Sequence, residues 1–232
     1  MRPLERGTCP LDATGQPLCF VTYQEARPEL MERLGEYCSY CERRVGASLA
    51  VEHIEPRHHA SHRALDWDNF LLACVNCNST KGAQPTLSLD IYLPDRDNTA
   101  RAFQYEEAGL VAPNPELGPE QQDKARRTLK LLGLDRTPAN APRATDRRWL
   151  HRREAWEIAQ RSLRRWQRKR DDPDIRESII DSARAQGLWS IWMAVFETEP
   201  KIRQALIDAF PGTCRSCFDT NTRPVARPGG SL

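Results

Sequence analysis

The sequence predicts an α+β chain: a small two-strand-plus-helix unit, then a mostly α-helical region. Three observations predict it. Two C-x-x-C pairs, Cys38 with Cys41 and Cys74 with Cys77, bracket residues 42–73. Two short apolar runs, 48–51 and 70–73, lie inside or at the edge of that bracket. From Pro119 onward apolar residues recur at helical spacing, punctuated by Gly and Pro. The 232 residues allow one or two domains, and 39% hydrophobic with 28% charged residues suit a folded chain of polar surface. No apolar stretch approaches the length that spans a bilayer, and the N-terminal residues lack the apolar core of a secretion signal. A cytoplasmic chain is therefore expected. The 34 Lys and Arg against 32 Asp and Glu leave +2, so affinity for a polyanion must come from uneven placement of charge.

The elements follow in order. Residues 1–35 form a lead-in and a helix. Pro3, Pro10, Gly15 and Pro17 punctuate residues 1–22, with 18–21 a candidate strand, and 24–34 reads as a helix with Leu30 and Leu34 on one face and Gly35 as its stop. Residues 36–82 are the cysteine-rich module. Residues 83–118 read as a connector broken by Pro85, Pro94, Pro113 and Pro115, with a hairpin of 103–105 and 110–112 around Ala108-Gly109. Residues 119–212 read as helices. The first starts at Pro119, buries Ala125, Leu129 and Leu132, and stops at Gly133. The second runs from near Thr145 to Arg170 with Trp149, Trp156, Leu163 and Trp166 on one face. A third carries Ile175, Ile179, Ile180 and Ala183 up to Gly187, and two apolar helices occupy 188–196 and 201–210. Residues 213–232 read as a flexible tail.

The cysteines carry the first chemistry. Disulfides are rare in a reducing cytosol, so close cysteine pairs in an unsecreted chain point to metal. Cys38, Cys41, Cys74 and Cys77 supply four thiolates, which complete a tetrahedral Zn²⁺ shell with no open position, a structural site. A single C-x-x-C also suits redox chemistry, but two that flank one compact segment favour zinc. The spacer is longer than the roughly 15–20 residues of a simple ribbon, so it holds an inserted element. Glu52 and His53 end its first apolar run, Asn69 opens the second, and 76–82 turns into a helix that ends near Lys81-Gly82. A hairpin folded onto that helix gathers Glu52, His53, Asn69 and Asn78.

Glu52-His53-Ile54-Glu55-Pro56, then Asn69, then Cys74-Val75-Asn76-Cys77-Asn78-Ser79-Thr80-Lys81-Gly82 resemble the HNH endonucleases, a family with a ββα-metal fold. The family often has Asp where this chain has Glu52, which keeps the carboxylate and adds a methylene. The resemblance implies a zinc-stapled HNH module that cleaves DNA. His53 is then the general base, because imidazole titrates near neutral pH. Asn69 orients His53 or holds the loop. Glu52 and Asn78 hold one divalent ion, Mg²⁺ or Mn²⁺, through hard oxygen ligands, and the ion relieves charge on the scissile phosphate. Lys81 is within reach of a phosphate. An HNH module followed by a helical region also looks similar to the HNH subunits of Septu-type anti-phage systems, which implies an ATPase partner. The alternatives are a non-catalytic zinc module that binds nucleic acid or a partner, and a subunit whose site is silent until an ATPase docks.

Residues 143–170 carry eleven basic and three acidic side chains, a net +8 on one helix. Arg152 and Arg153 are its candidates for gripping DNA phosphates, against the alternative of a solvated face or a docking face for an acidic partner. His58, His59 and His62 read as ordinary loop residues. Cys9, Cys19, Cys214 and Cys217 read as free thiols rather than a second zinc site, since only Cys214 and Cys217 have ligand spacing.

Overall fold

A computed structural model describes residues 1–84, 90–141 and 145–232; Pro85 of the connector and Arg143 of the basic run lie outside the described residues. The order is α1 (Arg27–Leu34), β1 (Leu49–His53), β2 (Phe70–Cys74), α2 (Val75–Lys81), α3 (Thr99–Ala102), β3 (Phe103–Tyr105), β4 (Val111–Pro113), α4 (Pro119–Leu132), α5 (Arg148–Arg168), α6 (Pro173–Gln186), α7 (Trp189–Val195) and α8 (Pro200–Ala209). No described helix is long and apolar enough to cross a membrane.

β1 and β2 pair antiparallel, with Leu49 opposite Cys74 at one end and His53 opposite Phe70 at the other. Five residues at about 3.3 Å each separate those ends by about 13 Å. All of β2 is buried, as its unbroken apolar run requires. The Asp66 carboxylate accepts from the Asp68 N–H and closes the turn that delivers Asn69 and Phe70 to the strand. Cys74 ends β2 and is the N-cap of α2, so strand passes into helix without a loop. That direct passage sets Cys77 and Asn78 on the first turns of α2. Gly82, at φ +55, ends the helix.

The connector's hairpin forms as β3 and β4. Its Gly109 turn lies against α5: a Cβ there would sit 2.2 Å from the Trp149 carbonyl. Gly187, at φ +73, is packed equally tightly, 2.2 Å from the Glu42 carbonyl by the same measure, and it ends α6 against the first zinc turn. α7 is almost wholly buried, and Trp166 of α5 is buried with its indole N–H on Glu199 Oε2 at 2.9 Å.

Two expectations need correction. Residues 18–21 are not a strand; the lead-in makes two isolated bridges, Leu4 to Thr213 and Leu11 to Pro17, the second closed by the Asp12 carboxylate on the Thr14 and Gln16 N–H groups. The same D-x-x-x-x-P turn recurs at the other end of the chain, where Asp219 accepts from the Asn221 and Arg223 N–H groups below a Phe218–Pro224 bridge. The last stretch is also not a free tail. Asn98 donates to the Cys217 and Val225 carbonyls, at 2.7 and 2.6 Å, and Arg203 donates to the Thr222 carbonyl at 2.7 Å. Buried donors needing acceptors hold this segment, a demand that its own polar composition does not reveal.

Candidate metal centre and active site

The four sulfurs of Cys38, Cys41, Cys74 and Cys77 are buried and lie within 4.8 Å of one another. Zn–S bonds of about 2.3 Å at tetrahedral angles set sulfurs about 3.8 Å apart, so the cluster fits one zinc ion and leaves no position open. The thiol protons are shared unevenly. Hydrogen bonding from the neighbouring thiols, Cys38 foremost, pulls Cys41 and Cys74 down, while burial pushes Cys38 up and the cluster's own hydrogen bonds push Cys77 up. Two guanidiniums oppose the charge. Arg148 donates to Cys77 Sγ at 3.0 Å and Arg43 to Cys74 Sγ at 3.8 Å.

Arg148 also joins the halves of the molecule. It is buried, paired with Asp146 at 2.5 Å, and donates to the Leu132 and Gly133 carbonyls. Those carbonyls are the orphan acceptors left where α4 ends. The first zinc turn is held likewise. Glu42, buried at φ +62, accepts from the Ser190 hydroxyl at 2.7 Å, and its carbonyl accepts from the Leu188 N–H at 2.8 Å.

The opposite end of the hairpin carries the predicted site residues Glu52 and His53. His53 Nε2 lies 2.9 Å from the Ala64 carbonyl. A carbonyl only accepts, so Nε2 holds the proton and Nδ1 presents its lone pair. The ring sits edge-on to Phe70 and Tyr23, at 5.2 and 4.9 Å between centroids. Burial holds His53 below the 6.5 of a free imidazole, outweighing the Ala64 bond, and the charges of Arg57 and Lys81 push the same way.

Glu52 is buried beside it, one carboxylate oxygen 2.7 Å from Lys81 Nζ, and burial raises its pKa. Lys81 also donates to the His53 carbonyl at 2.7 Å. Since Lys81 lies one helical turn beyond Asn78, this contact turns the Asn78 face of α2 toward β1. Asn78 is half-buried there. The Glu52 carboxylate and the Asn78 amide oxygen are hard donors of the kind that Mg²⁺ or Mn²⁺ prefers.

The remaining predicted residues fall differently. Asn69 is fully buried: its Oδ1 accepts from the Glu55 N–H at 2.7 Å, and its Nδ2 donates to the Glu55 and Arg63 carbonyls. It ties down the loop that ends at Ala64, and none of these hydrogen bonds goes to the imidazole. Lys81 does not face a phosphate; its ammonium is buried against Glu52 and the His53 carbonyl. Arg152 does not face DNA either. It is buried, donating to the Gly109 and Leu134 carbonyls at 2.7 and 2.9 Å, because the hairpin turn and the end of α4 need those donors. Arg153 is exposed and pairs with Glu157 at 3.2 Å.

Among the described residues Cys38, Cys41, Cys74 and Cys77 form the single metal-ligand cluster, so Cys9, Cys19, Cys214 and Cys217 do not gather into a second one. Cys214 is held down to about 6 by Cys217, whose own thiol is pushed up. Sequence reasoning missed Ala64, a backbone acceptor with no residue signature, and Arg148, whose only signal is Asp146 two positions earlier.

No curated protein matches the chain. A family model does, and its match ends at residue 84, so the helical region takes from it neither an anti-phage role nor an ATPase partner. The segment with the sulfur cluster, the β1–β2 hairpin and α2 is thus matched by the family model described as HNH endonuclease, over residues 38–84.

Proposed function

We propose that this protein is a metal-dependent endonuclease that hydrolyses DNA phosphodiester bonds at the Glu52–His53 end of the hairpin. The observation that carries the reading is the Ala64 carbonyl on His53 Nε2, which leaves Nδ1 unprotonated on the residue that follows the buried Glu52 in β1.

His53 Nδ1 takes the proton of the attacking water. Its lowered basicity keeps it neutral and ready at physiological pH. Phe70 and Ala64 fix the ring, and Asn69 fixes the loop that presents Ala64. Lys81 occupies one oxygen of Glu52 and favours its charged form against the upward push of burial, so the other oxygen can serve with Asn78 as a cation ligand. A divalent ion there supplies Lewis-acid relief of charge on the phosphate and the leaving oxygen. The zinc cluster stands at the far end of the strands and takes no part in the reaction.

A plasmid assay with Mg²⁺, Mn²⁺ or chelator, run on zinc-loaded wild type and His53→Ala, tests this. The expected result is nicking or linearisation by wild type with a divalent ion, and a loss of about 10²- to 10⁴-fold in the variant at unchanged zinc content. Equal cleavage by both proteins removes His53 from the mechanism. Inertness of wild type with every ion leaves the non-catalytic zinc module as the better reading.

A further inference from the structure

Three ring contacts bind the lead-in, which lies outside the matched segment, to the reactive end of the hairpin. Phe20 stacks on Trp67 and meets Phe70 edge-on, both at 6.1 Å. Tyr23 meets the His53 ring edge-on at 4.9 Å, on a ring that Phe70 also contacts. The outer partner of Tyr23 is Arg57, whose guanidinium lies 4.8 Å from the tyrosine ring centre. Arg57 is exposed and forms no ion pair among the described residues.

These contacts are more than packing. An arginine laid on an aromatic face keeps its five N–H donors available while giving up much of its rotamer freedom, so it is preorganised for two oxygens of one oxyanion. Its head lies on the ring of Tyr23, the same ring that meets the His53 imidazole edge-on, so one aromatic ring links the cation to the base. A phosphate would supply the anion that this charge lacks among the described residues.

We propose that Tyr23 and Arg57 complete the active site: Arg57 contacts the phosphate of the bound DNA, and Tyr23 is the positioning residue that sets both the Arg57 head and the His53 ring. The proposal rests on the nuclease reading and adds to it a residue from outside the matched domain. It makes the lead-in part of the site rather than a passive extension.

Steady-state cleavage by the zinc-loaded full chain tests it, with Tyr23→Phe, Tyr23→Leu and Arg57→Ala. Tyr23→Phe keeps the ring face and keeps wild-type kcat and KM. Tyr23→Leu fills the space without a ring face and lowers kcat by about 10- to 100-fold through ring misplacement. Arg57→Ala raises KM, and adding Tyr23→Leu raises it no further, because the arginine that Tyr23 positions is already gone. In a His53→Ala background, where bound duplex stays intact, Arg57→Ala lowers the slope of log affinity against log salt by about 0.9, one phosphate contact. Wild-type kcat in Tyr23→Leu, or an unchanged salt slope in Arg57→Ala, overturns the proposal while the nuclease reading stands. A wild type that cleaves no DNA with any divalent ion overturns both.

Discussion

The two ends of the β1–β2 hairpin are about 13 Å apart and solve opposite problems. At the Leu49–Cys74 end the thiols are matched to one another and to cations. The four sulfurs face one another, and guanidiniums from Arg43 and Arg148 close over them. At the His53–Phe70 end satisfaction is withheld. Among the described residues Nδ1 of His53 and one oxygen of Glu52 make no hydrogen bond or ion pair, and Arg57, on the far side of Tyr23, pairs with no anion. The helical half contacts the closed end, through Arg148, Gly187 and Ser190. The lead-in contacts the open end through Phe20 and Tyr23. Where groups saturate one another the structure resists change, and where they do not it can bind and react.

The sharpest way to break that contrast is at the sulfurs. Cys77→Ser removes one ligand of the cluster and the acceptor of Arg148, so the two halves come apart together. Structural zinc contributes about 10–16 kcal/mol in small domains at neutral pH, more than the whole stability of a typical domain. The variant is expected to lose zinc by metal analysis and its cooperative thermal transition. A strong chelator should do the same to wild type. A Cys77→Ser protein that still melts cooperatively without zinc would show that the helical half carries the fold alone.

Lys81→Met is the next largest effect. It leaves the Glu52 carboxylate buried without its cation and removes a donor from the His53 carbonyl. Breaking one side of a buried pair costs about 3–5 kcal/mol. Glu52→Gln in the same protein should recover much of that loss in a denaturant titration, because no uncompensated charge remains. Both variants should keep zinc, which separates the open end from the closed one.

Gly187→Ala sharpens the closed end. At φ +73, with the Glu42 carbonyl 2.2 Å from where a Cβ would stand, alanine is both strained and crowded. A loss of about 2 kcal/mol is expected from thermal melts. Per-molecule cleavage of the folded fraction should be unchanged, since Gly187 touches only the zinc turn.

The contrast also explains what the sequence could reveal. The zinc ligands, the strand end with Glu52 and His53, and α2 were legible because each needs particular side chains at fixed spacing. The groove of carbonyls that takes up Arg148 and Arg152 was not. Its acceptors, Leu132, Gly133, Leu134 and Gly109, act through backbone oxygen, which every residue has. A +8 helix therefore read as a surface, although its first turns spend two arginines on burial. The same anonymity hid Ala64, and the docking of the last residues on Asn98 and Arg203.

The smallest expected effect is a pH dependence confined to the open end. His53 has a folded-state pKa below 6.5, so its contribution to stability is present above 6.5 and is lost as pH falls through the folded value. Glu52 has the opposite sign: raised above 4.5, it favours folding below that pH and loses the contribution as pH rises through its folded value. The two overlap in mild acid, so wild type alone does not separate them. The difference in Tm between zinc-loaded wild type and His53→Ala does, because Glu52 is common to both. That difference should move against wild type as pH drops below 6.5 and level off below the folded pKa of His53. Cleavage should rise over the same window and be flat by neutral pH, since Nδ1 must be free to take a proton. A Tm difference independent of pH from mild acid to neutral would mean that the imidazole is not held neutral by burial, and the contrast between a closed and an open end would lose its electrostatic half.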